Sequence, residues 1–192
     1  PGFDTPVWID QLHHVSAEGQ LLERINVLDI LYANDLERYI VKAWQPQAGD
    51  EAPREKDITH LNDVEPLSAS MAEEYPLFEA GDLVVSLRGV SLVFVFDPDS
   101  GNVKWHTSDP LIMQHDPDFI GDGWIGIFDN RRDFTERGTM LGGSRIVAVQ
   151  PHTGAVETRF PTFVSDRLYT KSQGMRQLLP NGNMLLAEAK AR

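Results

Sequence analysis

Cysteine is absent from the chain, which excludes disulfides, thiolate zinc sites and cysteine nucleophiles and leaves the redox compartment open. Positive charge is scarce as well. Seventeen lysines and arginines stand against 29 acidic residues, a net charge of −12, and this argues against nucleic acid, whose binding depends on basic patches that neutralise phosphates. Any anionic substrate therefore needs local cations to overcome the general field. No apolar run reaches membrane-spanning length, and Leu92 to Phe96 has the length of a buried strand. No signal peptide is visible.

What is present is a repeat, legible in turn residues and apolar alternation. One segment runs Gly81 to Leu87, Ser91 to Phe96, the turn Asp97-Pro98-Asp99-Ser100-Gly101 and Val103-Lys104-Trp105. A second runs Gly123 to Asp129, Arg145 to Val149, the turn Gln150-Pro151-His152-Thr153-Gly154 and Val156-Glu157-Thr158. A third opens at Pro180-Asn181-Gly182. The two Pro-x-x-Gly turns lie 53 residues apart and the opening glycines 42 and 59 apart, the period of a four-stranded propeller blade. The aspartates of the first turn do not fit a calcium loop, because Gly101 falls at the fifth position and Ser108 at the twelfth.

The expected fold is all-β, part of a β-propeller of about three to four blades, with a short inserted helix. Residues 1–192 read as a single propeller portion with blade pieces at 1–25, 58–106, 112–160 and 172–192 and insertions at 26–57 and 67–80. Three blades are too few to close a ring, so the chain is expected to be a fragment or to be completed by another copy. Asn26 to Ile40 has near-helical apolar spacing and reads as one amphipathic helix. Gln45 to Asp57 reads as a solvated loop, and Ser70-Met71-Ala72-Glu73 as a capping box opening a short helix stopped at Pro76. Arg131 to Ser144 reads as a disordered surface loop or a lid, and Trp8, Trp105 and Trp124 as packing residues between blades.

The first strand of each blade lines the central channel. His115 stands eight residues before Gly123, and His60 stands in the corresponding strand one repeat earlier once the insertion at 67–80 is removed. Arg88 and Asn130 each follow an opening glycine by seven. The candidate cluster is therefore His60, Asn62, Arg88, His115 and Asn130. Asp116 either orients an imidazole or caps the turn before Pro117, and alternation along a strand favours the turn.

His60-x-Asn62, Ser86-Leu87-Arg88 and Gln114-His115, in that order, resemble the bacterial arylsulfate sulfotransferases, as do Asn62-Asp63-Val64-Glu65-Pro66, His115-Asp116-Pro117-Asp118-Phe119, Phe128-Asp129-Asn130 and Leu179-Pro180-Asn181-Gly182-Asn183. The similarity runs from about Val15 to Glu188. It implies a six-bladed propeller, usually exported to the periplasm and often a homodimer, that moves a sulfuryl group from an aryl sulfate to a phenol without a nucleotide sulfate donor or other cofactor. By motif, His115 is the histidine that becomes sulfated, while His60, Asn62 and Arg88 hold the sulfuryl oxygens. A further family histidine has no match, since His13 and His14 sit in what reads as an outer strand. The chemistry suits these residue types. Neutral imidazole is a competent nucleophile, and the nonbridging oxygens need fixed donors.

Two rival readings come from other classes. One is a noncatalytic propeller that binds a ligand or a protein through a residual anion site. The other is a metal-dependent hydrolase using His115, Asp116, Asp118, Asp122 and Asp129. A sulfatase is excluded because Ser108-Asp109-Pro110-Leu111-Ile112 lacks the required arginine, and no Gly-rich loop for a nucleotide is present.

Overall fold

A computed structural model describes residue 3 and residues 6–44 and 57–189. Of the segment read as a solvated loop, only Asp57 falls among them. A hairpin of β1 (Gln11–Val15) and β2 (Leu21–Asn26) leads into helices α1 (Val27–Ala33) and α2 (Glu37–Trp44). Strands β3 (Leu61–Pro66), β4 (Leu83–Leu87), β5 (Leu92–Phe96) and β6 (Val103–Thr107) pair in chain order as one four-stranded sheet. A second four-stranded sheet follows the same path through β7 (His115–Phe119), β8 (Ile125–Asp129), β9 (Arg145–Gln150) and β10 (Ala155–Phe160). The pair β11 (Met175–Leu178) and β12 (Met184–Ala187) comes last. Every pairing is antiparallel. The protein is thus mostly sheet, consistent with part of an all-β propeller.

Burial explains why the middle strands read as unbroken apolar runs. Side chains alternate faces along a strand, so Val85, Leu87, Phe94 and Phe96 pack under the two helices with Leu31, Leu36 and Ile40. Val84, Val93 and Val95 face the other way and meet Ile125, Ile127, Val147 and Val149 of the second sheet. A sheet covered on both faces has no polar side to alternate with.

The insertion between β3 and β4 bridges the sheets. The Tyr75 hydroxyl donates to the Trp124 carbonyl and accepts from the Gly121 amide, both at 2.8 Å, while its ring packs edge-on to Phe119. Burial raises the phenol to about 12, so it stays a neutral donor.

Three local expectations need correction. The segment 26–40 is two helices, not one. Asn34 ends the first by donating to the Ile30 and Gly101 carbonyls at 2.8 and 2.9 Å and accepting from Val103 N at 2.8 Å, and Asp35 takes φ 56°. The apolar spacing continues across this break and hides it, because both helices present the same face to the sheet. The expected capping box forms no cap; the helix there is a single 3-10 turn, Ala72–Glu74, and Ser70 bonds Ser68 instead. Trp105 is a partly buried packing residue and the Trp124 ring lies under Arg159, but Trp8 is 67% exposed.

Tyr75→Phe removes both bonds of the bridge while keeping the ring, leaving the Gly121 amide without its partner while Trp124 O keeps the Ile120 amide. The expected cost is about 1–3 kcal/mol, read by urea unfolding; an unchanged midpoint would show that the insertion does not brace the second sheet.

Candidate functional site

Backbone irregularities shape the site before any side chain does. In β3 the pairing steps from Leu61↔Leu87 to Asp63↔Ser86, so Asn62 is an extra residue; in β7 it steps from His115↔Phe128 to Asp118↔Gly126. Such bulges re-aim side chains. His60, Met113 and Asp116 hold left-handed φ of 49°, 56° and 55°, a conformation that costs a non-glycine residue roughly 1–3 kcal/mol and concentrates at functional sites.

Cross-sheet bonds bring the candidates together. The Asn62 side-chain amide donates to the Gln114 carbonyl at 2.8 Å, one residue from His115. Arg88 N donates to the His60 carbonyl at 3.1 Å and Gly89 N to Thr59 O at 2.9 Å. The approach there requires glycine, since a Cβ at position 89 would lie 2.2 Å from the Ile58 carbonyl oxygen. Gln114, fully buried, anchors β7 to the first sheet through Nε2, which donates to Ser86 Oγ at 3.0 Å and Leu92 O at 3.1 Å. The charges of Arg88 and His60 are both felt at the His115 ring. His60, Asn62, Arg88 and His115 therefore share one locality, as do their partners.

The His115 tautomer follows from its neighbour. The Asn130 amide nitrogen donates to the Thr170 and Gln173 carbonyls at 3.1 and 2.6 Å, which orients the group and turns Oδ1 to His115 Nδ1 at 2.7 Å. An amide oxygen only accepts, so Nδ1 carries the proton and, in the neutral ring, Nε2 carries the lone pair. Burial holds this imidazole below the usual histidine range, with Arg88 and His60 pushing the same way and the Asn130 bond opposing. His60 Nδ1 meets a different partner, the Asp57 carboxylate. Arg88 Nε and Asn62 Oδ1 are buried with no hydrogen-bond partner among the described residues, which leaves a donor on a permanent cation unused beside His115.

Next to this cluster lies an acidic wall. Asp63 and Glu65 of β3 face Asp116 and Asp118 of β7. Burial first and the neighbouring carboxylates second raise Asp63 to about 7; burial raises Asp118 to about 6 against the pull of Arg176. Arg176 of β11, 6% exposed, pairs with Asp118 at 2.8 Å and donates to Gly126 O at 2.9 Å. Asp116 neither orients the imidazole nor caps its own turn: Oδ2 accepts from Arg176 N at 2.8 Å, tying β7 to β11. The aspartates weighed as metal ligands are engaged separately, Asp129 with Arg145 Nε at 2.9 Å and Ile112 N at 2.8 Å, and no group of three or more such residues is placed to hold a metal among the described residues.

Sequence reasoning missed Asp57, hidden in a charged stretch, and Arg176, whose only signal was a lone arginine two residues after Gly174 in a candidate inner strand. The segment after Asn130, read as a disordered surface loop or a lid, is folded around Asp133, which accepts from Thr135 N at 2.8 Å, Thr135 Oγ1 at 2.6 Å and Leu141 N at 2.8 Å.

The family model described as Arylsulfotransferase (ASST) matches residues 8–191, nearly the whole chain. The protein belongs to the arylsulfotransferase family. No curated protein and no solved structure matched it. No described helix is long and apolar enough to cross a membrane.

The acidic wall sets a pH dependence of stability. Asp63 and Asp118 are raised when folded, so the folded state binds more protons than the unfolded chain between about pH 4 and 7, and the stability that depends on those protons is lost as pH rises through that window. Asp63→Asn should be more stable than wild type at pH 8, and the difference should shrink or reverse by pH 5. Equal denaturation midpoints for the two proteins at pH 8 would rule out a buried, repelled carboxyl at position 63.

Proposed function

We propose that the protein transfers a sulfuryl group from a phenolic sulfate ester to a phenol through a sulfohistidine at His115, independently of any nucleotide sulfate donor. The observation that carries this reading is the Asn130–His115 bond, which leaves a neutral imidazole with its lone pair on Nε2. Nε2 attacks sulfur, the N–S bond forms as the S–O bond to the aryl group breaks, and the phenolate leaves with the electron pair. The Nδ1 proton stays on the ring, held by Asn130. In the second half the acceptor phenol oxygen attacks sulfur, its proton passes through solvent to the phenolate released in the first half, and the N–S bond electrons return to Nε2. Splitting the transfer into two displacements lets donor and acceptor use one site in turn.

Arg88, His60 and Asn62 are proposed to hold the nonbridging oxygens. The unpaired Arg88 Nε supports that role. A guanidinium fork matches two oxygens of a tetrahedral anion, and its charge is independent of pH. The proposed setting is a complete six-bladed ring, exported to the periplasm and often dimeric, with small-molecule phenols and their sulfates as its only required partners. A purely anion-binding module is favoured by nothing in the His115 surroundings, since a binder needs no desolvated, tautomer-fixed imidazole.

Single-turnover phenol release from 4-nitrophenyl sulfate tests the assignment. His115→Asn should abolish the burst, and Arg88→Lys, which keeps the charge but loses the fork, should slow it by roughly tenfold to a thousandfold with a smaller change in ester binding. A normal burst from His115→Asn would remove His115 from the chemistry. An Arg88→Lys effect confined to binding would reduce Arg88 to an anchor.

A further inference from the structure

A cavity of about 400 Å³ is lined by Met113, Arg132, Asp133, Phe134, Thr135, Glu136 and Lys171, a volume within the range of small-molecule sites. Each of the three segments that build it also touches the His115 arrangement. Met113 lies two residues before His115, and its amide is held by Ser91 Oγ at 3.1 Å on the first sheet's side of β7. The 132–136 segment begins two residues after Asn130, and Arg131 N is held by the Ile112 carbonyl at 3.1 Å. Lys171 lies between Thr170 and Gln173, whose carbonyls receive the Asn130 amide. The cavity is thus built by the segments that fix His115 and Asn130, although neither side chain is in its lining.

Its lining is chemically mixed. Phe134 is 97% exposed, an aromatic face held out by an internally bonded loop rather than packed into the protein. Arg132 and Lys171 are exposed cations with no ion pair among the described residues. The Asp133 carboxylate is committed to its own loop, where the Thr135 hydroxyl and backbone amides satisfy both oxygens. Glu136 is the one carboxylate in the lining without such partners. In a chain of net charge −12, two unpaired cations beside an unpacked aromatic ring are a local exception.

We propose that this cavity is the aryl subsite of the reaction and selects phenols and phenyl sulfates that carry a second anionic group, the ring lying against Phe134 and the carboxylate or sulfonate held by Arg132 and Lys171. This rests on the sulfuryl-transfer reading for the reacting oxygen, but the binding selectivity belongs to the cavity and is measurable without turnover. The same pocket serves donor and acceptor because a two-step transfer places each aryl group there in succession.

Calorimetric titration of the protein with 4-hydroxybenzoate and with 4-methylphenol tests the proposal, alongside 4-nitrophenyl sulfate for the covalent step. The carboxylated phenol should bind about tenfold more tightly, the scale of one charge-assisted bond. The Arg132→Gln/Lys171→Gln double variant should lose that preference and keep its affinity for 4-methylphenol. Phe134→Ala should weaken both ligands by a similar factor, and Glu136→Gln should strengthen only the carboxylated one. Equal binding of the two phenols by wild type, or a preference that survives the double variant, would overturn the proposal. Selective binding without any phenol burst would keep the subsite and remove the sulfuryl-transfer reading; a burst with no selectivity would do the reverse.

Discussion

The short bond between Asn130 and His115 is the interaction on which the account rests, and most of the surrounding architecture serves it. Asn130 can accept from His115 only because its amide nitrogen is spent on two carbonyls of the 170–173 segment. That segment is held in turn by Ser144, whose hydroxyl donates to Asn130 O at 2.9 Å and accepts from Thr170 N at 3.0 Å. On the opposite side Gln114 and Asn62 fasten the start of β7 to the first sheet. His115 is therefore fixed between the strands of two successive sheets and the approach to a third, and mis-setting any one of them releases its tautomer.

Stability is given up locally to obtain this. Left-handed residues at His60, Met113 and Asp116, buried carboxyls raised into the neutral range, and unpaired polar atoms on Arg88 and Asn62 all sit in or beside β3, β4 and β7. The apolar sandwich between Val84, Val93 and Val95 and Ile125, Ile127, Val147 and Val149 offsets that loss within the same two sheets. Charge is distributed by the same logic. Arg176 pairs with Asp118 and donates to Gly126 O through Nη2, which keeps the acidic wall from becoming still more negative.

Much of this was legible in the sequence because the fold repeats. The Pro-x-x-Gly turns and opening glycines marked β4 and β5 as the counterparts of β8 and β9, and Arg88 and Asn130 each directly follow the equivalent strand; His60, expected to match His115, instead stands level with Met113, because Glu65 and Asp118 hold the equivalent pairings. What local pattern could not show were events that depend on contacts far along the chain. Asn34 breaks the helix because Gly101 and Val103, nearly seventy residues away, supply its partners. Asp116 turns to Arg176, sixty residues on, because a bulge in β7 defeats the simple alternation that assigned it to a turn. Asp57 and Arg176 looked like ordinary surface charges until the strands around them closed.

Nitrogen-15 NMR of ring-labelled histidine, read at His115 above its protonation range, tests the central claim most directly. The account predicts a neutral ring with the proton on Nδ1 and a bare Nε2, converting to the other tautomer or to a mixture in Asn130→Ala. A wild-type ring with the proton on Nε2, or one that is still cationic at neutral pH, would contradict it.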